Sequence, residues 1–483
     1  MHWIDAGIFI FYMLVLLGVG VYFLRKNKNA EDFFVSGRNM TRWHIGLSVV
    51  ATDVGGGFSI GLGGLGFMMG LSGSWMLFTG LIGAWVSAVL LIPRIHPLGK
   101  EIRLFTFPQV FEHFFNKKVA LVAGIISAIG YLGFTSSQIL AGAKLASASF
   151  VSLDMETALI VMGAITVGYT VLGGMNAVIY TDTIQWIVLI SGLCFIGIPL
   201  SYHAIGGMDA IRNTLSRDFL SLGNVTWQTL VNWGVTIIPI WFVGMTLYQR
   251  IYASRDVKEA RKAWFIAGLF EWPVMAFMGV ALGLFARVAA EQGMFAQLGY
   301  PTAMSMDPEM GLPVLLRTIL PVGLMGVMMA VYFSAILSTA DSCLMAASGN
   351  LLTDIVSRFF HIDHDSKRML HLSQVFTLVL GLLSILLASF MGNVLELMLY
   401  SYAFMVSGLF VPLIAALFFK KRNARAAMMA MIAGGATTVL LSIFIKKLPL
   451  GLDANLFGIS VSLFVFISVS YCWPTASVNL KVK

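Results

Sequence analysis

The chain has 483 residues, 58% of them hydrophobic and 11% charged, with a formal net charge of +8. Soluble domains carry about a quarter charged residues, so this balance excludes a soluble globular protein. Apolar runs of about 20 residues, each long enough to cross a hydrocarbon core of about 30 Å, recur from end to end. The reading is an all-α polytopic membrane protein in which the basic residues lie in loops and bind no nucleic acid.

In chain order the apolar runs predict thirteen spans: about 4–24, 44–70, 72–93, 119–148, 155–173, 177–201, 227–249, 262–286, 313–346, 370–391, 394–418, 425–445 and 455–475. The first lacks a basic start and a small-residue cleavage site, so it reads as a span and not a signal peptide. Six segments hold 24 of the 31 basic residues: Arg25–Arg42, Arg94–Lys118, Arg250–Lys262, Arg358–Arg368, Lys420–Arg425 and Lys481–Lys483. With thirteen spans all six fall on one side. Cytoplasmic loops carry the Lys and Arg excess, so the expectation is a multi-pass inner-membrane protein, N-terminus outside and C-terminus cytoplasmic. The loops 202–226 and 287–312 are external. "TFPQVFEHFF" is either a short interfacial helix or a plain cytoplasmic loop. Cys194, Cys343 and Cys472 form no metal-type pair, so neither a disulfide framework nor a zinc site is expected.

Charges at bilayer depth mark ion or solute pathways. In the second span, "SVVATDVGGG" places Asp53 about nine residues in, roughly 14 Å at 1.5 Å per residue. Gly55, Gly56 and Gly57 follow and weaken the helix there, which is tolerable only where freed carbonyls line a cavity or bind something. Asp182 and Gln185 share a face one turn apart; a helix-end role for Asp182 stays open. The seventh span contains Gly234, Pro239 and Gly244. The proline removes a backbone hydrogen bond, which suggests a second discontinuous helix or a simple kink. Glu271 precedes Trp272 and Pro273 and calls for a polar neighbour. In the ninth span Ala335, Ser338, Thr339 and Ser342 share one face, with Asp341 in the same turn. Neutral oxygens in that pattern suit a hard cation such as Na⁺; hydroxyls bonded back to their own helix are the alternative. Lys144 lies near an outer helix end and reads as snorkelling to the interface. "HIDHD", His361 to Asp365, reads as a solvated loop, because metal sites need convergent geometry.

Spans two to six make five and spans seven to eleven make five, each set opening on an interrupted helix, and an odd unit repeated in series comes back inverted. The expected division is a first helix and loop (1–43), repeat one (44–201), an external loop (202–226), repeat two (227–418) and two C-terminal helices (419–483). Inverted repeats with interrupted first helices mark secondary transporters. "SVVATDVGGG", "GGMNAVIYTDTIQ", "YQRIYASRDVKEARKA" and "SAILSTADS" together resemble the sodium:solute symporter family, nearest in motif to its proline branch, over nearly the whole chain. The resemblance implies the LeuT-type fold and a sodium site. Its ligands would be the carbonyls of Ala51, Val54 and Ala335 and the hydroxyls of Ser338 and Thr339, with Asp53 a coupling acid. It also implies a possible second sodium site at Asp182, Ser338, Thr339, Asp341 and Ser342. Candidate solute contacts are Gly55, Gly56, Gly57, Phe134, Trp241 and Phe242.

The implied function is Na⁺-coupled uptake of a small organic solute, with no obligate protein partner. Two departures bear on it. The glycine run replaces a hydroxyl-rich stretch, and Asp341 stands where relatives often have serine, which admits proton coupling. The fourth span has no mid-membrane arginine to clamp a carboxylate as a sialic-acid carrier would. An intramembrane enzyme needs a catalytic constellation, and the sequence offers none at bilayer depth. A sodium-responsive sensor of the same fold would carry appended signalling domains, and the chain ends eight residues after its last span. A passive channel would move solute without sodium.

Overall fold

A computed structural model describes residues 2–26, 38–53, 55–150, 153–356, 367–419, 422–445 and 447–474. All regular structure among them is helical, apart from one isolated bridge between Met40 and Ser254. The first half contains α1 (Trp3–Lys26), α2 (Arg42–Asp53), α3 (Gly56–Met69), α4 (Trp75–Leu90), α5 (Ile92–Glu101), α6 (Pro108–Phe114), α7 (Lys117–Ser149), α8 (Met155–Gly192), α9 (Ile198–Ala204) and α10 (Gly207–Thr214). The second contains α11 (Trp227–Val243), α12 (Met245–Ala253), α13 (Val257–Leu269), α14 (Ala276–Glu291), α15 (Pro308–Ile319), α16 (Leu324–Gly349), α17 (Lys367–Ser389), α18 (Val394–Phe418), α19 (Ala424–Phe444) and α20 (Ala454–Cys472).

By length and hydropathy, nine helices among the described residues suffice to cross a membrane, ten if the bent pair α11–α12 counts as one span. The difference from thirteen has local causes. A 3-10 turn at Gly70–Ser74 continues α3 into α4, so Ser59–Leu90 counts once. Trp3–Val19 and Met155–Val171 are shorter apolar helices. The expected fifth span and the start of the sixth lie in one helix from Met155 to Gly192, and Gln185–Ala204 counts as a span of its own. The expected ninth span is two helices, because Gly323, at φ +91°, ends the connection between α15 and α16. "TFPQVFEHFF" contains the short helix α6, buried through Pro108, Val110 and Phe111. The "HIDHD" loop lies outside the described residues.

Burial orders the bundle. The apolar window containing α16 is 89% buried, against 22% for α20. α16 packs against α1, α7, α8 and α17 and is the axial helix; α19 and α20 pack on one another and on α18 at the edge. Small residues allow close helix approach in a bilayer, where apolar surface gives no net drive to associate. A Cβ at Gly66 would fall 2.2 Å from the Val280 carbonyl oxygen, and one at Gly283 2.0 Å from that of Gly63. α3 and α14 therefore touch backbone to backbone.

Three helices are interrupted. α2 stops at Asp53 and α3 starts at Gly56. α11 runs unbroken through Pro239 to Val243, and the chain opens at Gly244 with a 42° bend into α12. The break thus falls at the glycine and not at the proline that pointed to it. A π turn at Phe270–Met275 joins α13 to α14 and carries Glu271.

Candidate ion and solute site

The last four carbonyls of α2 have no partner within the helix and carry its negative dipole end. Opposite them stands the buried face of α16. Thr339 donates its hydroxyl hydrogen towards the Ala51 carbonyl at 3.1 Å and the Ala335 carbonyl at 3.3 Å. Three of the five expected sodium ligands, Ala51, Ala335 and Thr339, therefore meet. Val54 and the Asp53 side chain lie outside the described residues. The approach requires glycine at the break: a Cβ at Gly55 would sit 2.1 Å from Thr339 Oγ1, and one at Gly56 2.5 Å from the Ala141 methyl. The Gly55 carbonyl is held by both the backbone N–H and the hydroxyl of Ser59, each at 2.9 Å.

A second cluster lies one residue away on α16. Asp182 is fully buried and accepts from the Ser338 hydroxyl and from Ser48 Oγ at 2.8 Å. Arg250, counted in the sequence as a cytoplasmic-loop residue, is instead inside α12 with none of its surface exposed. Its Nε donates to Ser48 Oγ at 3.1 Å and its Nη1 to the Thr246 carbonyl at 3.2 Å. Nη2 donates to Ser342 Oγ at 3.2 Å, to Asp182 Oδ2 at 3.4 Å and to the Thr52 hydroxyl. A guanidinium takes such a position because its planar fork satisfies several acceptors at once. One cation thereby ties α2, α8, α12 and α16 together.

The expected second ion site is divided accordingly. Asp182, Ser338 and Ser342 surround Arg250, and Thr339 belongs to the first cluster. Asp341 bonds Thr170 through Oδ1, while its buried Oδ2 has no hydrogen-bond partner among the described residues.

The candidate solute contacts separate too. Phe134 meets Tyr402 edge to face at 4.9 Å, between α7 and α18. Phe242 packs on Phe410. Trp241 is buried against Trp264 and Gly83, where a glycine Cβ would lie 2.4 Å from its ring. Trp241 therefore fills a helix interface in the last turn of α11, just before the break at Gly244. Tyr131 was missed: its hydroxyl accepts the Thr246 N–H at 3.0 Å and so serves the buried first turn of α12, whose N–H groups have no partner within the helix.

Lys144 does not snorkel. It is 3% exposed, and its Nζ lies 2.6 Å from both Asp307 Oδ2 and Glu309 Oε2. Glu309 in turn accepts the N–H groups of Val394 at 2.8 Å and Leu395 at 3.0 Å, at the N-terminus of α18. Three elements far apart in the chain could not be joined by sequence spacing, so the pair went unseen. Glu271 also finds its place: its carboxylate lies over the bare backbone of Gly80, 2.2 Å from where a Cβ would stand.

The profile of the sodium:solute symporter family matches residues 33–434. The chain is 25% identical to a sodium/glucose cotransporter of Vibrio parahaemolyticus, over 99% of this chain and 92% of that one. It is 26% identical to the high-affinity proline transporter PutP of Bacillus subtilis (strain 168), over 96% and 98%. In fold it is similar to a Na⁺-coupled sialic acid symporter solved in a substrate-bound outward-open state, at TM-score 0.79 and 20% identity, over 99% and 100% of the two chains.

Proposed function

The chain belongs to the sodium:solute symporter family, and from that premise we propose that it works by alternating access, with sodium held between the end of α2 and the face of α16. It is a transporter, not an enzyme, and it couples Na⁺ to uptake of a small solute across a membrane. The observation that carries the site is the Thr339 hydroxyl facing the Ala51 and Ala335 carbonyls at a helix break. A hard cation takes oxygen ligands of this kind, and the negative end of a half-helix favours it further. Sodium would displace the two Thr339 hydrogen bonds, with Ser338 and Val54 completing the shell.

Two inverted repeats, 44–201 and 227–418, fit this reading, since each opens on a broken helix. The inner parts of those helices meet at Arg250 and Asp182, which makes that pair the cytoplasmic lock. Opening inward requires its bonds to Ser48, Thr52, Ser338 and Ser342 to part. The basic-residue asymmetry supports an external N-terminus and a cytoplasmic C-terminus. The solute is a small polar molecule of the amino-acid or sugar class, which the named relatives carry.

The test is uptake of a labelled panel into proteoliposomes, with an inward Na⁺ gradient or with K⁺ in its place. Accumulation of one solute with Na⁺ and its collapse in K⁺ is expected; full-rate uptake in K⁺ refutes the sodium site. A second reading, proton coupling, is favoured by the buried Asp341 Oδ2, which has no partner among the described residues. Uptake that follows an inward proton gradient in K⁺, and is lost in Asp341→Asn, would select it.

A further inference from the structure

We propose that the outer cavity between α3, α11, α18 and the loop before α20 binds a small organic cation bearing an ammonium group. The cavity encloses about 940 Å³, within the range of small-molecule sites. None of the residues of the two central clusters lines it.

Its chemistry is one-sided. Among the described residues, Glu396 and Asp453 contribute two carboxylates against the single ammonium of Lys447. Tyr400 donates its hydroxyl hydrogen to Glu396 Oε1 at 2.6 Å, which fixes that carboxylate against the wall. Asp453 occupies the N-cap position of α20, yet its side chain makes no capping bond. Its backbone N–H is bound instead by Asn232 Oδ1 at 2.9 Å, and Asn232 Nδ2 donates to the Gly451 carbonyl at 3.2 Å. The loop is thus pinned to α11 by its backbone, and the carboxylate is left for another partner. Trp233 and Tyr400 add aromatic rings to the wall, and ring faces attract ammonium groups.

Other occupants fit less well. The negative balance disfavours an anion. A bare metal ion needs a tight cage, and among the described residues no group of three His, Cys, Asp or Glu side chains is placed to hold one. An organic ammonium uses all that is present: two carboxylates, two rings and the space.

The walls give such binding a consequence. Leu65 belongs to α3 and Trp233 to α11, the outer parts of the two broken helices, while Asp453 belongs to the edge hairpin. An occupant links the parts that alternating access must move to a part that stays at the rim, so a bound cation slows uptake.

The experiment uses radiolabelled choline and the purified full chain in K⁺ buffer without Na⁺. Saturable binding is expected, weakened at least tenfold in Glu396→Gln and in Asp453→Asn. Asp453 is in a loop and caps nothing, so its variant keeps the test open where Glu396→Gln misfolds. The uncharged isostere 3,3-dimethylbutan-1-ol should not compete. Thr339→Ala should bind choline normally, which separates this site from the sodium reading. Absence of saturable binding overturns the proposal. So does undiminished binding in Asp453→Asn, or competition by the neutral alcohol, which would make the cavity merely apolar. Loss of binding in Thr339→Ala also overturns it, by placing choline at the centre.

Discussion

Replacing Arg250 by methionine leaves the Asp182 carboxylate fully buried with two hydroxyl donors and no counter-charge. At the observed 3.4 Å separation and an effective dielectric constant of about 20, the lost attraction is about 5 kcal/mol. Relaxation reduces this, and removing one member of a buried pair costs about 3–5 kcal/mol in practice. Removing both charges, in Arg250→Met with Asp182→Asn, should cost about 1 kcal/mol, because no ion is stranded. The ranking by thermal unfolding in detergent is therefore wild type, then the double variant, then Arg250→Met. Sodium adds a second reading. The vacated space in Arg250→Met is ringed by Asp182, Ser48, Ser338 and Ser342, so Na⁺ at a hundredfold its dissociation constant should restore about 2.7 kcal/mol. The same addition should do less for the double variant, which lacks the carboxylate. An Arg250→Met protein as stable as the double variant, and equally indifferent to Na⁺, would refute the claim that the pair is an electrostatic lock.

Thr339→Ala should raise the sodium concentration for half-maximal uptake about tenfold or more, since it deletes one ligand oxygen, a loss of about 1–3 kcal/mol; uptake against Na⁺ concentration checks this. Gly55→Ala should abolish sodium-dependent uptake while the protein still inserts, because a Cβ 2.1 Å from Thr339 Oγ1 forces the break away from α16; transport beside a membrane-expression blot is the measurement. Glu309→Gln should lower stability by about 2–3 kcal/mol, because Lys144 keeps only the part-exposed Asp307 as counter-charge. Asp307→Asn, which weakens a half-buried pair while Glu309 still balances Lys144, and weakens a helix cap, should cost about 1 kcal/mol in the same unfolding assay.

Much of this arrangement was legible because single residue types betray it. Glycines beside an acid at bilayer depth announced the break at 53–56, and the hydroxyls at i and i+4 spacing on α16 announced an oxygen-rich face. The Arg250 cluster was not legible. A basic residue eleven positions after a proline, at the head of a run of loop cations, has the local pattern of a cytoplasmic end; only the bend at Gly244 turns it inward. Lys144 misled for a related reason. Its length suggested escape to the interface, whereas its partners come from residues 307 and 309, joined to it by tertiary contact alone. The second break was read at Pro239, but a proline in the last turns of α11 gives up one hydrogen bond without ending the helix, and the extended backbone at Gly244 ends it.

Ser338 and Thr339 are neighbours in the chain, yet one reaches Asp182 and the other Ala51. Successive residues on an α-helix are turned by about 100°, so the two clusters are addressed by adjacent teeth of one cog. Twisting α16 by a single step presents the wrong tooth to both partners at once. Neither cluster is therefore free to drift independently: a one-residue insertion upstream of Ser338 would uncouple them together, whereas an equal insertion beyond Ser342 would leave both in phase. On the proposed reading the axial helix is a common clock for the ion and for the lock, with the timing set by its phase rather than by any one side chain.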